Sequence, residues 1–196
     1  TPTSIPAGAP LPTARFTPTA TQPSLRPTLS PDSTQLTILY TSDEHGWMSG
    51  KQAGQGAAEL LGLWQAEYKL GQDPAVIVLS GGDNWTGPAI STWFDGQGMV
   101  EVMNAMGYSA SAVGNHEFDF GLDVLQARLG EAYFPFLSAN LRRRTDNGVP
   151  TDLGIQAYTL LEVAGRKVGI IGLSGTNTPY VANPAYLADF DFLDYQ

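Results

Sequence analysis

Cysteine is absent from these 196 residues, and histidine occurs twice. Without cysteine there is no disulfide framework, no thiolate metal site and no cysteine nucleophile. The absence also fits a protein that works outside the cytoplasm, in a periplasm, in the medium or on a cell surface. Basic residues are scarce: 10 Lys and Arg stand against 19 Asp and Glu, a net charge of −9. From Gln35 onward the balance is 8 basic to 18 acidic residues. A protein that grips nucleic acid through its phosphates needs the opposite sign, so no nucleic-acid binding is expected. Long apolar runs are missing too. The most apolar stretches, 75–79 and 168–173, have strand length. A membrane span needs roughly 18 apolar residues, so no transmembrane span is expected. The chain starts with Thr1 rather than methionine, which predicts that an upstream segment has been removed or omitted.

Residues 1–34 hold few large apolar side chains, and 8 of the 14 prolines, 8 threonines and 4 serines. Such a segment cannot bury enough surface to offset the entropy of ordering it. It reads as a Pro/Thr/Ser-rich disordered linker, either an N-terminal membrane tether or an untethered terminus. Residues 35–196 then form the folded part, enough for one modest α/β domain.

Within that part, the pattern alternates between strands and helices. Strands are predicted over 35–40, 75–79, 110–113 and 134–139. Helices are predicted over 56–70, 98–106 and 122–129, the second from the stripe Met99, Val102, Met103, Met106 at helical spacing. Those methionines are expected in the core rather than on a metal. Segments 157–163 and 167–173 read as a hairpin with Gly165 in its turn. The alternation argues for a layered α/β domain with a largely parallel sheet.

The chemistry gathers at strand ends. Asp43 and His45 follow the first strand, and two residues apart on an extended backbone they point the same way. Asp83 follows the second behind Gly81 and Gly82, which allow a sharp turn. Asn115 and His116 follow the third behind Gly114. Alone, Asp43-x-His45 reads as a surface accident, and Asp83 and Asn115 read as ordinary turn residues. Three successive strand ends of a parallel sheet, however, lie on one edge, where such folds place their sites. Oxygen and nitrogen donors without thiolate suit zinc, manganese or iron, and a central aspartate can bridge two ions.

Asp43-Glu44-His45, Gly82-Asp83-Asn84 and Gly114-Asn115-His116-Glu117 resemble the first three motif blocks of the calcineurin-like metallophosphoesterases. The longer strings TSDEHGW, GGDNWTGP and AVGNHEFDFG, together with residues 183–192, resemble the 5′-nucleotidase and UDP-sugar hydrolase branch. The resemblance covers about residues 35–196. It implies a layered metallophosphoesterase sandwich and a cofactor of two divalent metal ions (Zn, Mn or Fe). Asp43 and His45 would bind the first ion, Asp83 would bridge both, and Asn115 would bind the second. His116 would act on the transferring phosphoryl group and its leaving oxygen, oriented by Asp119. A carboxylate three residues on can reach that imidazole; Asp119 can equally be the N-cap of the helix that follows.

The family also uses a later histidine and a Gly-His-x-His block, which this chain does not contain. The resemblance therefore implies the N-terminal portion of a catalytic domain, whose C-terminal part and separate substrate domain are missing, and a piece close to inactive alone. The function implied is removal of phosphate from a small phosphoester, chiefly a nucleotide. Alternatives are a cyclic-nucleotide phosphodiesterase, a sulfur-oxidation thiohydrolase, or a non-catalytic cell-surface module that keeps the fold. Arg142, Arg143 and Arg144 read as a solvated loop or a phosphate contact. Trp47, Trp85 and Trp93 could line a pocket rim or fill the core. Ser80 and Ser174 lack the surroundings of a nucleophile.

Overall fold

A computed structural model of the chain describes residues 35–195; the predicted linker 1–34 lies outside the described residues. In chain order the elements are β1 (Thr37–Thr41), α1 (Ala57–Tyr68), β2 (Val76–Ser80), α2 (Ala89–Thr92), α3 (Gln97–Met106), β3 (Ala110–Ala112), α4 (Leu122–Glu131), β4 (Phe136–Leu137), β5 (Leu141–Arg143), β6 (Ile155–Gln156), β7 (Tyr158–Val163), β8 (Arg166–Ile171), α5 (Thr178–Val181), α6 (Pro184–Leu187) and β9 (Phe190–Phe192). One-turn 3-10 helices at His116–Phe118 and Thr151–Leu153 interrupt the connections.

Five strands form one sheet in the order β1-β2-β3-β4-β6, every neighbouring pair parallel. The expected α/β architecture with a parallel sheet is what the chain adopts. Its register sets up the site: Thr41 lies beside Ser80, Ser80 beside Ser111, and Ala112 beside Leu137. The loops after β1, β2 and β3 therefore leave the sheet side by side.

The helices cover one face. Leu39 and Val78 pack there against Trp64 of α1, Met99, Val100, Met103 and Met106 of α3, and Leu125 and Leu129 of α4. The methionine stripe is core, as its spacing predicted. Gly107 ends α3 in a left-handed conformation, the usual helix stop. On the other face of β1, Ile38 and Tyr40 are exposed. Alternation along a strand puts them opposite Leu39, and among the described residues no helix covers that side.

The predicted hairpin forms as β7 and β8, but as a separate two-stranded antiparallel sheet. The arginine run corrects an expectation. Rather than a solvated loop, Leu141–Arg143 is β5, paired antiparallel with β9. Arg143 forms an ion pair with Asp152 at 2.6 Å, and Arg144 with Asp191 at 2.8 Å. Carboxylates outside the run thus pair two of its three arginines, while Arg142 donates to the Leu141 carbonyl.

Candidate active site

The loop after β1 is laid along the loop after β2 by backbone hydrogen bonds. The amides of Asp43, His45 and Gly46 donate to the carbonyls of Gly82, Asp83 and Asn84 at 3.0, 3.0 and 2.6 Å. These bonds turn the chain rather than extend it. Asp43 and His45 adopt φ of 58° and 47°, and Asp83 adopts 57°. The extended reading of Asp43-x-His45 is thus corrected, and their proximity has another cause. Non-glycine residues in the left-handed region are uncommon and gather at functional sites; here three of them are candidate ligands.

His45 Nδ1 is 3.0 Å from the Thr86 carbonyl. A carbonyl only accepts, so Nδ1 carries the proton and Nε2 keeps its lone pair. That is the arrangement of a metal-binding imidazole held by its other nitrogen. Nε2 stands 4.0 Å from Asp43 Oδ1, too far for a hydrogen bond, and the two donors frame one point. Ser42 Oγ donates to Asp43 Oδ2 and steadies that carboxylate.

The loop after β3 brings in the second histidine. The His45 and His116 rings meet edge-on, centroids 4.5 Å apart. The His116 amide donates to Asp83 Oδ1 at 2.8 Å, so the loops after β2 and β3 touch through the proposed bridging residue. His116 Nδ1 lies 2.7 Å from Asp119 Oδ2. Asp119 thus holds the imidazole; the residue that caps α4 is Gly121, which corrects the N-cap alternative. Asn115 stands directly before the short turn that carries His116, half-buried. Among the described residues, no three His, Asp or Glu side chains converge closely enough to hold a metal ion. Asp43 with His45 and Asp83 with His116 are brought together pairwise, and the donor set of two carboxylates, an imidazole and an amide oxygen still fits a divalent cation.

In the sequence Glu117 closes the Gly114-Asn115-His116-Glu117 block, and nothing local marks a role for it. The structure buries it completely, and burial pushes its carboxyl up to about 7, with the Asp83 charge adding to the rise and hydrogen bonds from Asn84, Asp83 and Gly114 opposing it. Trp85 is core, fully buried with its ring against Phe136, whereas Trp47 and Trp93 are exposed. Ser80 and Ser174 are buried structural hydroxyls, donating to Asn84 Oδ1 at 2.8 Å and to the Val113 carbonyl at 2.6 Å.

Comparison with known proteins agrees with this fold. A snake venom 5′-nucleotidase from Gloydius brevicauda is 37% identical over 169 residues, covering 81% of this chain and 28% of its own length. The solved 5′-nucleotidase precursor from Thermus thermophilus superposes with a TM-score of 0.68 at 28% identity, over 81% of this chain and 32% of that one. Homologues of this chain are 5′-nucleotidases. The calcineurin-like phosphoesterase YfkN from Bacillus subtilis shares the fold, with a TM-score of 0.66 at 23% identity, over 81% of this chain and 54% of that one. No family model matches. This chain spans less than a third of the length of the 5′-nucleotidases it matches. Among the described residues, no helix is long and apolar enough to cross a membrane.

Proposed function

We propose that the natural protein carrying this chain hydrolyses phosphate monoesters of nucleotides with two divalent cations, Zn, Mn or Fe. The observation that carries this reading is the meeting of His45, Asp83 and His116 at the carboxyl edge of the parallel sheet, with His116 anchored on Asp119. Asp43 and His45 would hold the first ion, Asp83 both, and Asn115 the second. Bound cations would polarise the phosphoryl group and activate water. The protein's own part is then plain. Asp119 accepts from His116 Nδ1 and turns Nε2 toward the substrate. Protonated, His116 stabilises charge on the phosphoryl oxygens or delivers a proton to the departing alcohol. The acidic net charge does not oppose an anionic substrate, because bound dications reverse the local field.

The pairwise, unclosed donor set and the exposed Ile38 and Tyr40 face support a further reading. Additional polypeptide supplies the remaining ligands and covers the sheet, and residues 1–196 alone bind metal weakly and turn over little substrate. We place the protein outside the cytoplasm, with residues 1–34 as linker or tether; the lack of cysteine and the venom relative support this. The same unclosed donor set favours one second reading, a module that keeps the fold without catalysis.

The deciding experiment is nucleoside monophosphate hydrolysis by the natural full-length protein, before and after exhaustive chelation and metal return. We expect activity to vanish on chelation and return with Mn²⁺ or Zn²⁺. Hydrolysis undiminished by chelation overturns the metal mechanism; no hydrolysis at any metal supply selects the non-catalytic module.

A further inference from the structure

We propose that Glu117 is a positioning residue that locks the loop after β2 to the loop after β3 and so fixes the separation of Asp83 from His116. Its carboxylate is fully buried and accepts from four N–H groups. Oε2 takes the amides of Asp83 at 2.9 Å and Gly114 at 2.6 Å; Oε1 takes the amide of Asn84 at 2.8 Å and its Nδ2 at 3.0 Å. Two of these donors belong to the backbone after β2 and one to the backbone after β3. The Asn84 side chain extends the clamp, accepting from Ser80 Oγ at 2.8 Å and donating to Ser111 Oγ at 3.1 Å. The ends of β2 and β3 are thus tied twice, once through Glu117 and once through Asn84.

The surroundings require this spacing. A Cβ on Gly82 would come within 2.7 Å of the Gly114 amide nitrogen, and one on Gly114 would run into the Asp83 side chain. The two loops therefore run backbone against backbone, with no room for an intervening side chain. Left to themselves, the amides of Asp83, Asn84 and Gly114 would be donors lacking an acceptor, which is unfavourable away from water. Only a group that accepts on both sides and donates on neither satisfies all four. A glutamine fails in either orientation, since its NH₂ must face two N–H donors. The carboxylate therefore does more than fill space: it aims Asp83 and delivers the His116 amide to Asp83 Oδ1.

The effect on metal binding rests on the function proposed above; the clamp itself does not. The test is hydrogen–deuterium exchange on the natural full-length protein and its E117Q and E117D variants, together with the Mn²⁺ concentration that half-activates nucleotide hydrolysis. In E117Q, exchange should rise about tenfold or more in segments 81–86 and 113–117, with β2 and α3 unchanged. The half-activating Mn²⁺ concentration should rise about 10–100-fold, the usual cost of losing a group that orients metal ligands. E117D keeps the charge one methylene short and should fall between wild type and E117Q in both measurements. If E117Q does not fold, the E117D exchange pattern decides alone. Unchanged exchange, or exchange raised equally through the sheet and helices, overturns the proposal. So does a locally loosened E117Q with an unshifted Mn²⁺ requirement. Should the wild-type protein show no metal-dependent hydrolysis, the proposed function falls while local exchange still decides the clamp.

Discussion

The two halves of the candidate site are held in different ways. The loops after β2 and β3 are stitched by a buried carboxylate, with Asp83, Asn84 and Gly114 all donating to Glu117. The loop after β1 lies on top of them through backbone hydrogen bonds, and its Asp43 side chain is 62% exposed. One half is built into the interior and the other is laid on its surface. A buried anchor tolerates little change, whereas an exposed one is screened and adaptable. The half holding Asp83 and His116 should therefore be the more sensitive to substitution.

The sharpest way to break that comparison is to remove one carboxylate from each half in the natural full-length protein. Asp83→Ala should cost the most, with both ions and nearly all turnover lost, because Asp83 would serve both cations and also receives the His116 amide. Asp43→Ala should lose one ion and keep residual turnover. Metal content per chain, measured beside nucleotide hydrolysis, checks both. Equal losses, or two ions retained in Asp83→Ala, would remove the bridging role.

Within the anchored half, ligand and reactive group should separate. His116→Ala is expected to lower kcat about 10²–10⁴-fold while sparing metal content, the usual value of a positioned acid–base group. Loss of an ion in this variant would make His116 a ligand instead. Asp119→Asn should lower kcat in the same direction by a smaller factor, since the amide still spans the 2.7 Å contact to Nδ1 but cannot balance an imidazolium. A loss in Asp119→Asn as large as in His116→Ala would mean that Asp119 does more than orient.

The same contrast explains what was legible beforehand. The parallel sheet and the meeting of three strand ends could be read from motifs, because each motif is short, local and bounded by glycine. The methionine stripe of α3 could be read from its period. Long-range pairing stayed hidden. β5 reads as a charged loop until Asp152 and Asp191 arrive from elsewhere. Asp43 and His45 read as extended because nothing in the three residues shows that Gly82, Asp83 and Asn84 will supply carbonyls beside them. Glu117 was hidden for a related reason: its four donors are dispersed over two loops, and a glutamate beside a histidine looks like a solvated one.

The smallest expected effect concerns what holds the surface half to the core. Thr41, the last residue of β1, shares a 2.7 Å hydrogen bond with the buried hydroxyl of Tyr108, just before β3. Burial pushes the Tyr108 phenol from 10.0 up to about 12; the Thr41 hydrogen bond opposes the rise and the Glu44 charge adds to it. Below pH ~10 the phenol is protonated in folded and unfolded chains alike, and its contribution is constant. Between about 10 and 12 the unfolded chain gives up the proton first, so stability falls as pH rises, by about 1.4 kcal/mol per unit. Tyr108→Phe removes both the titration and the hydrogen bond. It should be less stable at neutral pH by about 1 kcal/mol, yet lose less on going to high pH, so that its curve of Tm against pH approaches wild type above pH ~10. Thermal melts of both proteins across that range check the crossover. Parallel curves would show that Tyr108 gives up its proton at the same pH in the folded and unfolded chains, so that its burial and its bond to Thr41 contribute nothing to the pH dependence.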